Sequence, residues 1–273
     1  MKAITKDIKN KKLFLLDIDG TVSFDATPIE GALDFLGEVK ARGGKYVFIT
    51  NNSTKSIEDY VIKFTKMGIP VDDSSFLTST TATASFLKQR YGEQLLYVLG
   101  TKSFVKELRK YGLNVTEESD ESIKSSIVAA VVGFDSELNY TKIENICELL
   151  QTTNIDYFAT NPDLACPVSY GYIPDCGAIC NLLKEAVKRE PIYLGKPNRL
   201  MVDMACTSNG YTPEETIVIG DRLYTDIACG INAGVDTAVV FTGEAKYEDL
   251  TSTEYPPTYY CDSIKDLYIA LRD

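Results

Sequence analysis

Short apolar runs alternate with amphipathic stretches along almost the whole chain. LFLLDI (13–18), KYVFITN (45–51), LLYVLG (95–100), IVAAVVGF (127–134), IDYFATN (155–161), PIYLG (191–195), ETIVIGD (215–221) and DTAVVFTG (236–243) read as strands. IEGALDFLGEVKARG (29–43) and SIEDYVIKFTKMG (56–68) read as helices, the second ending at Gly68. The strand runs lack clean alternation, as expected of parallel strands covered by helices on both faces. The predicted fold class is α/β, with a doubly wound parallel-sheet (Rossmann-like) core.

A chain of 273 residues is near the size at which one core stops growing, so two domains are expected. No low-complexity linker or internal repeat marks a boundary. The polar turn TSTTAT (78–83) and the loop before PIYLGKP near residue 190 are the candidate junctions. They predict a core of residues 1–78 and 190–273 interrupted by an inserted α/β domain, residues 79–189.

Composition narrows the chemistry. With 44% hydrophobic and 25% charged residues, the chain has an ordinary globular composition. A net charge of −11 argues against a nucleic-acid or anionic-membrane partner, although a cation can reverse the field inside one cleft. No apolar stretch of signal-peptide or membrane-spanning length is found, so a cytoplasmic location is expected. The seven cysteines are scattered without a CxxC pair, which fits reduced thiols; Cys176 and Cys180 could share a helix face as two small buried residues. There is no histidine at all. Ser-His-Asp and Cys-His catalysis, histidine-ligated zinc and imidazole bases are thereby excluded. Any catalysis must rest on carboxylates, lysine, hydroxyls and an oxygen-liking metal.

In an open parallel sheet, ligands bind beyond the C-terminal ends of the strands. Four predicted strands carry polar groups there. The first ends in Asp17 and Asp19, and the second in Thr50, Asn51, Asn52 and Ser53. IYLGKP delivers Lys196, and IVIGDRLYTDI delivers Asp221 and Asp226. Each alone also fits a turn, a helix cap or a solvated loop lysine. Together they compose one phosphoryl-transfer site. Asp17 and Asp221 can share Mg²⁺, which would offset two carboxylates at the lip of a buried strand. Thr50 and neighbouring amides suit phosphate oxygens, and Lys196 supplies a point charge. Asp17 can then attack phosphorus to give an aspartyl-phosphate, with Asp19 as acid and then base.

In these motifs the sequence resembles the haloacid dehalogenase superfamily, specifically its phosphatases. DIDGT, ITNNS, Lys196 in LGKP, and GDRLYTD stand as its four motifs in order. TNNS, GFD (133–135), ATNPD (159–163) and GKP resemble the NagD-like branch, which includes p-nitrophenyl phosphatases. The resemblance implies Asp17 as nucleophile, Asp19 as acid/base, and Mg²⁺ held by the Asp17 and Asp221 side chains and the Asp19 carbonyl. It implies Thr50, Asn51, Asn52 and Lys196 on the phosphate, with Asp226 behind the metal or the lysine. The aspartate at position 19 favours phosphate over haloacid substrates. The insertion resembles a C2-type cap, which would select the leaving group of a small phosphorylated metabolite; many relatives dimerise, so a homodimer through the cap is in view. Cap candidates for substrate contact are Asn161, Asp163, Tyr170, Tyr172 and Asp175, with packing tyrosines and turn-capping aspartates as the alternative reading. Relatives that favour pyridoxal phosphate use a cap histidine, a contact this chain lacks. A phosphomutase using the same intermediate and a non-catalytic phospholigand sensor are the competing readings.

Overall fold

A computed structural model describes residues 1–52, 56–168 and 170–273. The chain divides into two compact units. One comprises Met1–Thr50, Ile57–Leu77 and Lys196–Asp273, and the other Asn51–Ser56 and Thr78–Gly195.

The first unit is built on a seven-stranded sheet. Its order is Lys2–Ala3, Tyr259–Cys261, Asp236–Val240, Thr216–Gly220, Leu13–Leu16, Lys45–Thr50 and Phe76–Thr78. All pairings from Lys2–Ala3 through to Lys45–Thr50 are parallel. The α/β class expected from the apolar runs is therefore the one found. All four residues of Leu13–Leu16 are buried because helices cover both faces. Phe14 and Leu16 pack with Phe35, Leu36 and Val39 of helix Ala32–Ala41 and with Leu267 and Leu271 of helix Ile264–Arg272. Helix Leu200–Asn209 also contacts the Leu13–Leu16 strand. Helix Ile57–Lys66 is anchored by Tyr60 and Phe64, whose rings lie 4.5–5.5 Å from those of Phe48 and Phe76. Each such side chain contributes about 1.5–3 kcal/mol by burial.

Register decides what emerges at the sheet's C-terminal edge. Leu16 stands opposite both Ile219 and Phe48. Asp17, Thr50 and Asp221 therefore leave three adjacent strands at one level. Parallel pairing makes this possible, because it points every strand the same way.

The second unit has its own five-stranded parallel sheet, ordered Ile192–Tyr193, Asp156–Ala159, Ile127–Val132, Leu95–Leu99 and Asn114–Thr116. Helices Ser79–Tyr91, Lys102–Lys110, Tyr140–Thr152 and Cys176–Val187 belong to it, and the side chains of Thr78, Thr101, Asn139 and Asp175 cap their first turns. Ile192–Tyr193 pairs with Phe158 and Ala159, and the Gly195 N–H bonds to the Thr160 carbonyl. Residues 190–195 thus fall in this unit, whereas the loop near residue 190 had read as the junction.

The described strands end one to three residues before the apolar runs do, since the chain leaves the ladder to form the polar loops. Lys2–Ala3, Asn114–Thr116 and Tyr259–Cys261 carry no readable period, being only two or three residues long. All seven cysteines are free thiols. Among the described residues, no helix is long and apolar enough to cross a membrane.

Candidate active site

Asp17 follows its strand directly, and its N–H still bonds to the Ile219 carbonyl at 2.9 Å. That bond fixes the backbone from which the carboxylate projects. Gly20, three residues on, has φ +91°, and a Cβ there would lie 2.7 Å from Asp221 Oδ2. Only glycine adopts this conformation freely and admits the second acid so closely. This is the physical content of the DxDG pattern.

Lys196 sits at the centre of the acids. Its Nζ donates to Asp17 Oδ1 and Asp226 Oδ1, each at 2.6 Å, and to the Ile49 carbonyl at 3.1 Å. Lys196 is 2% exposed and Asp226 1%. Burial alone would lower the lysine's pKa, but Asp17 and Asp226 outweigh it and hold the ammonium above the ordinary lysine range. Burial pushes the Asp17 carboxyl well above the usual carboxylate range, against Lys196, and the charges of Asp226 and Asp221 add to the rise. Asp221 is pushed up to about 6, by burial first and then by Asp226.

One oxygen from each of Asp17, Asp221 and Asp226 lies within 4.8 Å of the other two. Hard divalent cations such as Mg²⁺ take oxygen donors of this kind. Three carboxylates against one ammonium leave room for a dication's charge as well. The residues present therefore fit a divalent metal. Within the three, Asp226 has both oxygens occupied: Oδ1 by Lys196, and Oδ2 by the Arg222 N–H at 3.1 Å. Such bonding suits it to hold the lysine rather than to ligate. The π-helical turn Leu223–Ile227 presents the Asp226 side chain back toward Lys196.

Asp19 is the outlying acid, its side chain 47% exposed and 3.6 Å from Lys63 Nζ. Solvent access suits a group that exchanges protons with a leaving oxygen and with water. Thr50 and Asn51 are buried and Asn52 is half-buried. Ser53, read from the sequence with them, lies outside the described residues. Sequence reasoning missed Lys63, Thr21 (Oγ1 at 3.5 Å from Asp221 Oδ1) and the main chain around Gly243, whose contacts with Asp221 are made by backbone.

The five candidates in the second unit separate cleanly. Asn161 is fully buried; its Nδ2 donates to the Asn51 carbonyl at 3.0 Å and its Oδ1 accepts from the Asp163 N–H at 3.0 Å. Asp175 caps helix Cys176–Val187, accepting from the Cys176 N–H at 2.5 Å. The Asp163 carbonyl accepts from the Gly177 N–H at 2.9 Å. These three do structural work at a loop and a helix start. Tyr170 and Tyr172 are 81% and 73% exposed, Tyr172 on the hairpin of Ala165–Val168 and Gly171–Pro174 and Tyr170 at its turn. Asp135 of the GFD string is also structural, its buried side chain paired with Lys142 at 2.8 Å.

Residues 14–114 match the family model described as haloacid dehalogenase-like hydrolase, and residues 193–267 match an HAD-hydrolase-like model. The chain is 31% identical to the acid sugar phosphatase of Staphylococcus epidermidis over 97% of this chain and 99% of that protein. It is 30% identical to the ribonucleotide monophosphatase NagD of Escherichia coli, covering 94% and 98%. The crystal structure of 4-nitrophenylphosphatase from Thermotoga maritima is similar with a TM-score of 0.89 and 35% identity, covering 97% of this chain and 99% of that one.

Proposed function

The chain belongs to the haloacid dehalogenase-like hydrolases, in their NagD-like branch, and from that premise we propose a Mg²⁺-dependent phosphomonoester hydrolase working through an aspartyl-phosphate on Asp17. The observation that carries the proposal is the Lys196 ammonium between Asp17 and Asp226, with Asp221 in the same cluster. The Asp17 carboxylate attacks phosphorus, an O–P bond forms, and the bond to the leaving oxygen breaks. Asp19 gives its proton to that oxygen. It then takes a proton from water, which attacks the acyl-phosphate and frees inorganic phosphate and the Asp17 carboxylate. Lys196 offsets charge on the phosphoryl oxygens, Asp226 keeps the lysine in place, and Thr50 with the adjoining Asn51 and Asn52 donates to those oxygens. Magnesium, held by the Asp17 and Asp221 side chains and the Asp19 carbonyl, would supply further charge neutralisation.

Small soluble phosphate esters are the proposed substrates, sugar phosphates and nucleoside monophosphates first. The names of the acid sugar phosphatase and the ribonucleotide monophosphatase support that choice. Substrate preference is assigned to the inserted unit, with Tyr170 and Tyr172 as its exposed aromatic candidates. Phosphate release with Mg²⁺ across a panel of such esters tests the proposal, with Asp17→Asn in parallel. The substitution keeps side-chain volume and deletes the nucleophile, so turnover is expected to vanish while the circular dichroism spectrum is unchanged. Near-normal turnover in Asp17→Asn would overturn the covalent route.

A further inference from the structure

The loop 241–245 leaves strand Asp236–Val240 and returns to Asp221, a residue about twenty positions earlier in the chain. Asp221 Oδ2 accepts from the Glu244 N–H at 2.8 Å, and the Asp221 carbonyl accepts from the Ala245 N–H at 2.9 Å. Gly243 lies against the same carboxylate: a Cβ there would stand 1.9 Å from Oδ2 and 2.4 Å from Cγ. No side chain larger than hydrogen fits. Thr242 Oγ1 donates at 2.6 Å to the carbonyl of Gly20, the other glycine that closes on Asp221 Oδ2. Finally, Glu244 pairs with Arg222 Nε at 2.9 Å, and the Arg222 N–H is the donor that holds Asp226 Oδ2.

From these contacts we infer that the Thr242–Gly243–Glu244 segment is a positioning element that locks the Asp221 carboxylate in the orientation that binds the divalent cation. The inference rests on the metal reading of Asp221 given above. With Oδ2 held by a main-chain N–H at 2.8 Å and both glycines close against it, Asp221 is left one orientation, with Oδ1, met by Thr21 Oγ1 at the long distance of 3.5 Å, as the oxygen for a cation. A carboxylate free to rotate would lose rotamer entropy on binding metal; this one has lost it on folding. Outer contacts of this kind typically govern metal affinity by about 10–100-fold.

Direct Mn²⁺ binding to the whole protein, followed by electron paramagnetic resonance, tests this apart from activity, with Asp221→Asn as the control that removes a ligand. Gly243→Ala is expected to weaken Mn²⁺ binding by at least about 10-fold. Thr242→Val, nearly isosteric and therefore expected to fold, removes one hydrogen bond and should weaken it by about 2- to 10-fold, with Thr242→Ser restoring wild-type binding. In 4-nitrophenyl phosphate hydrolysis the Mg²⁺ concentration for half-activation should rise by the same factors. At saturating Mg²⁺, kcat of Thr242→Val should stay within about 2-fold of wild type, because this substitution places no atom against Asp221. Wild-type Mn²⁺ affinity in both Gly243→Ala and Thr242→Val would overturn the positioning role and leave the metal site standing. A wild-type protein that binds no Mn²⁺ would overturn the metal reading and this inference together.

Discussion

Replacing Lys196 by methionine removes a buried charge while keeping a stem of similar length and volume. Three acceptors lose their donor: Asp17 Oδ1 and Asp226 Oδ1 at 2.6 Å and the Ile49 carbonyl at 3.1 Å. An ammonium carries three N–H groups, so one can be placed on each acceptor in the native site. Removing one partner of a buried ion pair costs about 3–5 kcal/mol, and because both pairs share one lysine, their costs overlap instead of adding. At about 2–4 °C per kcal/mol for a domain of this size, the melting transition of the first unit should fall by roughly 6–20 °C. The second unit contains none of these groups, so its transition should stay in place. Because its acids hold the Lys196 pKa above the lysine range, the stabilisation is complete below that range and is lost only as pH climbs through the raised value. The lysine's own share of the wild-type advantage should therefore be level from about pH 7 to 9. The advantage as a whole should narrow as pH falls, where the orphaned Asp17 of the variant, its carboxyl already pushed up by burial, takes up a proton and stops demanding a counter-charge. Turnover should drop at least about 100-fold from loss of charge on the phosphoryl oxygens. Calorimetry over that pH range with phosphate-release kinetics reads all of this. A Lys196→Met protein that melts within about 2 °C of wild type and turns over at a comparable rate would refute the central place of this lysine.

Lys196→Arg keeps the charge but spreads it over a plane too wide for two contacts at 2.6 Å; thermal melts and kinetics should show more stability retained than turnover. Gly20→Ala forces a side chain into positive φ and onto Asp221 Oδ2, so loss of turnover is expected together with about 1–3 kcal/mol of stability, measured by denaturant titration. Asp175→Ala removes a helix cap and should lower stability by about 1 kcal/mol, with the rate on 4-nitrophenyl phosphate unchanged; a large loss of rate would return Asp175 to the substrate side. If the acid cluster binds Mg²⁺ only when folded, Mg²⁺ at about 100 times its Kd should add about 2.7 kcal/mol, seen as a rise in melting temperature that a chelator reverses.

The alternation of apolar runs with amphipathic stretches determined the α/β class, because burial on both faces of a parallel strand leaves a continuous apolar signature. The clustered acids were legible for a related reason. Asp17 and Asp221 follow apolar strands at their C-terminal ends, with Asp226 in the turn just beyond, where a buried charge needs a stated purpose. That they share one cluster with Lys196 was decided by register, by Leu16 standing level with Ile219 and Phe48, which no local pattern encodes. Asp175 read equally well as a substrate contact or a turn cap, and Asn161 as a substrate contact; only the placement of helix Cys176–Val187 and of Asn51 gave them structural partners. The grip of loop 241–245 on Asp221 was not legible, because it is made by main-chain N–H groups, by a glycine and by a threonine hydroxyl whose partners lie far away in the chain. Sequence determines which side chains exist and how each stretch buries them. Which backbone donor meets which carboxylate, across some twenty to two hundred residues of chain, is set only when the strands are paired.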